Sequence, residues 1–167
     1  KSGGMPEVLK TKDEDQQQQL VTDIINSTVK HDIITRYNPS NPRLLFSLID
    51  YCRASFAQET SIKNISNNIL TPSTSDGKKL KNDARSTLIA DYIEYIKDVY
   101  FISIPNTYSY RTKDILKRGI DKIYLGDLSM ASYQAHTQKG RLLENMLYTE
   151  ILRRNYKVQR FLGYRNK

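Results

Sequence analysis

Apolar residues return at three- and four-residue spacing through most of this chain, and that rhythm commits it to amphipathic helices. Leu20, Ile24 and Thr28 interleave with Val21, Ile25 and Val29, so the spacing predicts a helix from about Asp15 to Tyr37. Asn38-Pro39-Ser40-Asn41-Pro42 stops it, because proline disfavours helix in the residue before it and Asn and Ser side chains suit turns. A second helix, Arg43 to Ala57, carries Leu45, Leu48, Ile49, Cys52 and Phe56 as one stripe, which makes Cys52 a small core residue. Ser61 can cap a short helix running to Ile69. Residues 71–85 read as an exposed loop, after which Ser86 is placed to cap a helix burying Leu88, Ile89, Tyr92, Ile93, Ile96 and Tyr100.

Beyond that helix the pattern changes period. Phe101 to Pro105 and Lys122 to Leu125 have the alternation and β-branched content of two short strands that pair as a hairpin. The segment between them is basic and aromatic: Tyr108, Tyr110, Arg111, Lys113, Lys117 and Arg118. Rings of this kind can stack on bases while the cations meet phosphates, so these six are the candidate nucleic-acid contacts. A long helix from about Lys139 to Asn155 presents Leu143, Met146, Leu147 and Ile151, and Lys157 to Tyr164 reads as a strand. The expected class is therefore mainly α with a small β component, α+β. Three helices followed by a hairpin is the plan of a winged helix, which Arg43 to Leu125 can be laid onto.

Composition narrows the function. With 38% hydrophobic and 26% charged residues among 167, the chain is too polar for a membrane protein and too apolar to be disordered. No apolar run is long enough to span a bilayer, and the N-terminus lacks the apolar core of a signal peptide, so a cytoplasmic setting is expected. A single cysteine excludes an internal disulfide, and two histidines argue against a dedicated zinc site. The net charge of +8 is unevenly spread: residues 1–60 hold 7 basic and 8 acidic side chains, residues 61–167 hold 19 and 10. The outer face of the third core helix nevertheless carries Asp91, Glu94, Tyr95, Lys97 and Asp98, a set that repels DNA. His31, near the end of the first helix, reads as a residue favoured by the helix dipole; His136 falls in a polar loop. No methionine starts the chain, which suggests a fragment of a longer protein.

Gly3-Gly4-Met5-Pro6-Glu7, Lys122-Ile123-Tyr124-Leu125-Gly126-Asp127-Leu128, Gly140-Arg141-Leu142-Leu143-Glu144-Asn145 and Glu150-Ile151-Leu152-Arg153-Arg154-Asn155 follow one another in an order that resembles the C-terminal part of a prokaryotic family of predicted ATPases. In that family an AAA+ ATPase domain is followed by a winged-helix-like region and then by a domain similar to restriction endonucleases and Holliday-junction resolvases. The resemblance implies an N-terminal helical segment over 1–42, a winged-helix-like domain over 43–133 and the first helix and strand of a truncated nuclease-like domain over 134–167. No G-x-x-x-x-G-K-[ST] is present, so ATP and Mg would belong to the parent protein and the fragment itself needs no cofactor. Glu144 matches the helix glutamate that in related nucleases helps hold the metal, while the Asp and Glu-x-Lys that complete such a site would lie beyond Lys167. One glutamate cannot supply that chemistry, and Glu144 with Arg141 one turn before it also reads as a helix-surface carboxylate. Asp127 matches a family position and reads as the cap of a short helix from Leu128 to Tyr133.

These readings converge on a non-enzymatic coupling or interaction module between ATPase and nuclease-like domains. Its expected partners are the ATPase domain of the same parent chain, nucleic acid and a second copy, with no membrane. The alternatives are a winged helix that binds nucleic acid through the basic hairpin and, behind it, a metal-dependent nuclease. The helix at 139–155 and the strand at 157–164 are expected either to dock on the winged-helix core or to drive dimerisation.

Overall fold

The structure of the chain, a computed structural model, describes residues 4–69, 82–108, 122–132, 135 and 137–161. Helix α1 (Pro6–Lys10) begins on a proline, whose missing N–H would have had no intrahelical partner there. Helix α2 (Glu14–Thr28), capped by the Asp13 side chain, runs without a break into a π-helical stretch (Val29–Ile34) and α3 (Thr35–Tyr37), matching the rod expected from the spacing. The wide turns have a cause in the sequence. Val21, Ile25, Val29 and Ile33 are all buried and stand four residues apart. On an α-helix each such step overshoots a full turn by about 40°, so the stripe would wind off the core. A π-turn closes its hydrogen bonds one residue later and takes up that drift. His31 is exposed in this stretch.

Asn38, in the left-handed region at φ 44°, ends the rod. Helix α4 (Pro42–Ser55) then starts with proline in its first turn and the Asn41 side chain accepting from the Leu44 N–H. It buries Leu44, Leu45, Leu48, Ile49 and Cys52, and burial pushes the Cys52 thiol up to about 12. Ser61 caps α5 (Ile62–Asn68) as expected. Helix α6 (Asn82–Asp98) begins a turn earlier than its predicted cap, so Ser86 is an interior helical residue. Ala84 and Arg85 are good helix formers and extend the helix backwards. Of the expected loop, residues 82–85 are helical and 71–81 lie outside the described residues.

Two small sheets follow. Strand β1 (Ile102–Ser103) pairs antiparallel with β3 (Tyr124–Leu125), Ile102 opposite Leu125 and Ser103 opposite Tyr124, which is the hairpin pairing the alternation predicts. Strand β2 (Asn106–Tyr108) pairs in parallel with β4 (Gln159–Phe161), a partnership the sequence did not suggest. Between β3 and β4 lie a 3-10 turn (Leu128–Met130) and helix α7 (Lys139–Arg153). The fold is thus mainly helical with a small β component. Among the described residues, no helix is long and apolar enough to cross a membrane. The buried core runs continuously from Val8 to Tyr148, drawing on all three of the segments read from the sequence.

Tyr100 closes α6 in an unusual way. Its N–H bonds to the Lys97 carbonyl and the Phe101 N–H to the Ile96 carbonyl, the two bonds of a Schellman end, with Tyr100 itself at φ 57°. Glycine is the usual residue there, and the Tyr100 ring is 87% exposed, so it gains little from packing. Tyr100→Gly should therefore stabilise the chain by about 0.5–1 kcal/mol, read as a raised denaturation midpoint at unchanged slope. A lowered midpoint would show that the ring contributes more than its backbone strain removes.

Candidate functional site

Three of the four motif segments quoted above meet in one place, around β3, while Glu150 to Asn155 pairs within its own end of α7. Helix α7 brings Glu144, Asn145 and Tyr148 to β3, and each makes a specific bond. Asn145 is fully buried; its Nδ2 donates to the Leu125 carbonyl at 3.0 Å, and its Oδ1 accepts from the Leu125 N–H at 2.8 Å. The side-chain amide thus completes the β3 backbone as a neighbouring strand would. Glu144 Oε1 accepts from Lys122 Nζ and from the Tyr124 hydroxyl, both at 2.6 Å. The Tyr124 ring stacks on Tyr148 with centroids 3.9 Å apart, and the Tyr148 hydroxyl lies 2.8 Å from Ser103 Oγ. Burial raises the Tyr148 pKa, with the Ser103 hydrogen bond opposing it.

One turn earlier, Arg141 reaches the end of α4. Its Nε donates to the Phe56 carbonyl at 2.8 Å and a terminal nitrogen to the Ala54 carbonyl at 2.7 Å, while the guanidinium lies 4.7 Å from the Phe56 ring centre. These carbonyls belong to the last turn of α4 and to its C-cap, where no intrahelical donor remains and a cation is favoured by the dipole. Desolvation lowers the Arg141 pKa. Arg53 fixes the same helix end from within, donating to the Met130 carbonyl at 2.8 Å.

On the far side of β3, Gly126 and Asp127 tie in the N-terminus. Asp127 Oδ1 accepts from the Ser129 N–H and hydroxyl, capping the 3-10 turn as read from the sequence, and its Oδ2 accepts from the Gly4 N–H at 2.7 Å. Gly126 donates to the Phe101 carbonyl at 2.9 Å, and a Cβ on it would stand 2.2 Å from the Tyr100 oxygen. The backbone passes here too closely for any side chain.

Of the predicted site residues, Glu144 falls in this cluster. Its carboxylate faces an ammonium and a phenol hydroxyl of its own chain, so it serves to bind α7 to β3. Among the described residues, no group of three or more His, Cys, Asp or Glu is gathered as a metal site. Tyr108 lies in β2, while Tyr110, Arg111, Lys113, Lys117 and Arg118 lie outside the described residues, as does His136. Asn145, Tyr148 and Ser103 were missed. The available signal was an Asn on the face of α7 opposite Leu143 and Leu147, a poor helix former with no cap to make.

A family model described as a domain of unknown function, DUF8612, matches residues 2–140. The chain belongs to the DUF8612 family. The match takes in Gly4, β3 and Asp127 and stops at Gly140, in the first turn of α7. An uncharacterized protein of Methanocaldococcus jannaschii, MJ1544, is 29% identical over 165 residues, which are 98% of this chain and 35% of that protein. An uncharacterized protein of Haemophilus influenzae is 27% identical over 162 residues, 95% of this chain and 38% of its own length. This DUF8612 chain thus spans a little over a third of the curated relatives it matches. No solved structure matches it.

Proposed function

We propose that the chain is a non-catalytic, winged-helix-like coupling module that joins an AAA+ ATPase domain to a nuclease-like domain in a longer protein. The observation that carries this reading is the pairing of Glu144 with Lys122 and Tyr124: the one residue matching a nuclease position is spent on holding α7 against β3. The lengths of the relatives support a larger parent, and the end of the family match at Gly140 falls near the expected start of the nuclease-like part. The motif residues act as fasteners: Gly4 to Asp127, Asn145 to Leu125, Arg141 to α4. A module so tied suits the transfer of movement between its two ends.

The test uses MJ1544 and this chain side by side. MJ1544 should hydrolyse ATP, and a non-hydrolysable analogue should change hydrogen exchange in the segments matching 122–127 and 139–153. This chain should cleave no DNA with Mg. Absence of nucleotide binding by MJ1544 would remove the ATPase reading. Mg-dependent cleavage by this chain, lost in Glu144→Gln, would replace it with an enzymatic one.

The second reading, nucleic-acid binding through the basic hairpin, is favoured by the excess of 19 basic over 10 acidic residues in 61–167. It requires fluorescence anisotropy on duplex or single-stranded DNA to show affinity that falls steeply between about 50 and 200 mM salt. Charge reversal of Lys113, Lys117 and Arg118 should then abolish binding; unchanged affinity would exclude the hairpin.

A further inference from the structure

Helix α7 docks through the face its sequence would not select. The stripe expected to be buried, Leu143, Met146, Leu147 and Ile151, is 53, 50, 51 and 40% exposed. These four share one side of the helix. Gly140 opens the same side in the first turn, and a Cβ there would meet nothing within 4 Å. Glycine is a poor helix former, and among the described residues none approaches the place its side chain would take. The gap leaves room for the backbone of another element to come close, with the four apolar residues beneath it.

Charge says what kind of element fits. Exposed Lys139, Arg153 and Arg154 stand beside this face on the same helix and its C-cap. Glu150 lies among them, but its carboxylate is already held by Arg153 at 2.8 Å and Arg154 at 2.7 Å. Those two guanidiniums hold the Glu150 carboxyl down at about 2, so it is ionised across the ordinary pH range. A second copy laid on this face would bring Lys139, Arg153 and Arg154 of both copies together, three cations to one Glu150 on each side.

We infer that the outward face of α7 docks an apolar, acid-edged helix of a partner polypeptide, seated against Gly140, Leu143, Met146, Leu147 and Ile151. This rests on the reading of the chain as an interaction module, but not on any ATPase in its parent. The occupant is recognised in the helix-in-groove manner, with apolar anchors giving affinity and its carboxylates meeting the basic rim.

The probe is a synthetic amphipathic helix with leucines at three- and four-residue spacing and glutamates on both flanks, titrated into the full chain beside a version with lysine at every glutamate. The acidic peptide should bind at least about tenfold tighter, lose affinity with salt, and protect residues 140–151 from hydrogen exchange. Leu147→Glu and Gly140→Leu should each weaken it by about tenfold or more without lowering the thermal unfolding midpoint, because both positions are open. Equal affinity for the two peptides, or indifference to both substitutions, overturns the inference. So does a dimer in sedimentation that Leu147→Glu dissociates, which would make the occupant a second copy. Binding to phosphatidylglycerol vesicles through these residues, without peptide binding, would make it a membrane surface and overturn it equally. None of these outcomes depends on nucleotide binding by MJ1544, so the two readings fail separately.

Discussion

Replacing Asn145 with leucine should lower the unfolding free energy by about 3 kcal/mol and the melting temperature by about 6–12 °C for a chain of this size. Leucine fills a similar volume, so the loss reports the polar pairing rather than a cavity. It leaves both the N–H and the carbonyl of Leu125 without partners in a position where water cannot replace them: Leu125 and Asn145 are each fully buried. Asn145→Asp sharpens the point. It keeps an acceptor for the Leu125 N–H but sets a second oxygen against the Leu125 carbonyl, and an unpaired buried charge costs at least as much as a missing hydrogen bond. Thermal unfolding followed by circular dichroism decides this. A loss under about 1 kcal/mol for Asn145→Leu would mean that β3 is held by its strand pairing and apolar burial alone.

The second large effect is expected at Gly126. A single methyl group there would lie 2.2 Å from the Tyr100 carbonyl oxygen and 3.4 Å from its carbon, and both are backbone atoms that cannot rotate away. Gly126→Ala must therefore push β3 off β1 and break the bond from Gly126 to Phe101, at a cost of about 3 kcal/mol or more. Gly140→Ala is the internal control: the new methyl meets nothing and replaces a weak helix former, so it should be neutral or stabilise by up to about 1 kcal/mol. Chemical denaturation of the two variants compares them directly. Similar midpoints for both would show that the Tyr100 to Gly126 passage can relax without loss.

Much of the helical plan was legible because it depends on short-range rules. Asn41, Ser61 and Asp127 cap the elements they precede, and Pro39 and Pro42 fall where the first rod gives way to α4. Cys52 sits in the core because its stripe does. The β1 to β3 pairing followed from alternation. What the sequence did not show depends on partners far along the chain. Binary patterning left the apolar stripe of α7 to dock on the core or to drive dimerisation, yet hydrogen bonds decide how the helix docks: the carbonyls of Ala54 and Phe56 and both polar groups of Leu125 need partners, and Arg141 and Asn145 supply them. The parallel pairing of β2 with β4 joins residues 106–108 to 159–161, a separation that no local pattern encodes. The wide turns at Val29–Ile34 were in principle readable from strict four-residue spacing once Ile33 is counted with Val21, Ile25 and Val29.

The Gly4 to Asp127 bond has a mechanical meaning. From the Gly4 amide the link passes to the Asp127 carboxylate, two residues back along the backbone to Leu125, and from there through two hydrogen bonds into Asn145 on α7. The whole path uses three residues, Leu125 to Asp127, as a tie rod, and it enters the interior at the buried pair of Leu125 and Asn145. A pull on the chain at Gly4 meets this line of polar bonds leading to α7, so the first described residue and that helix are braced against each other through β3.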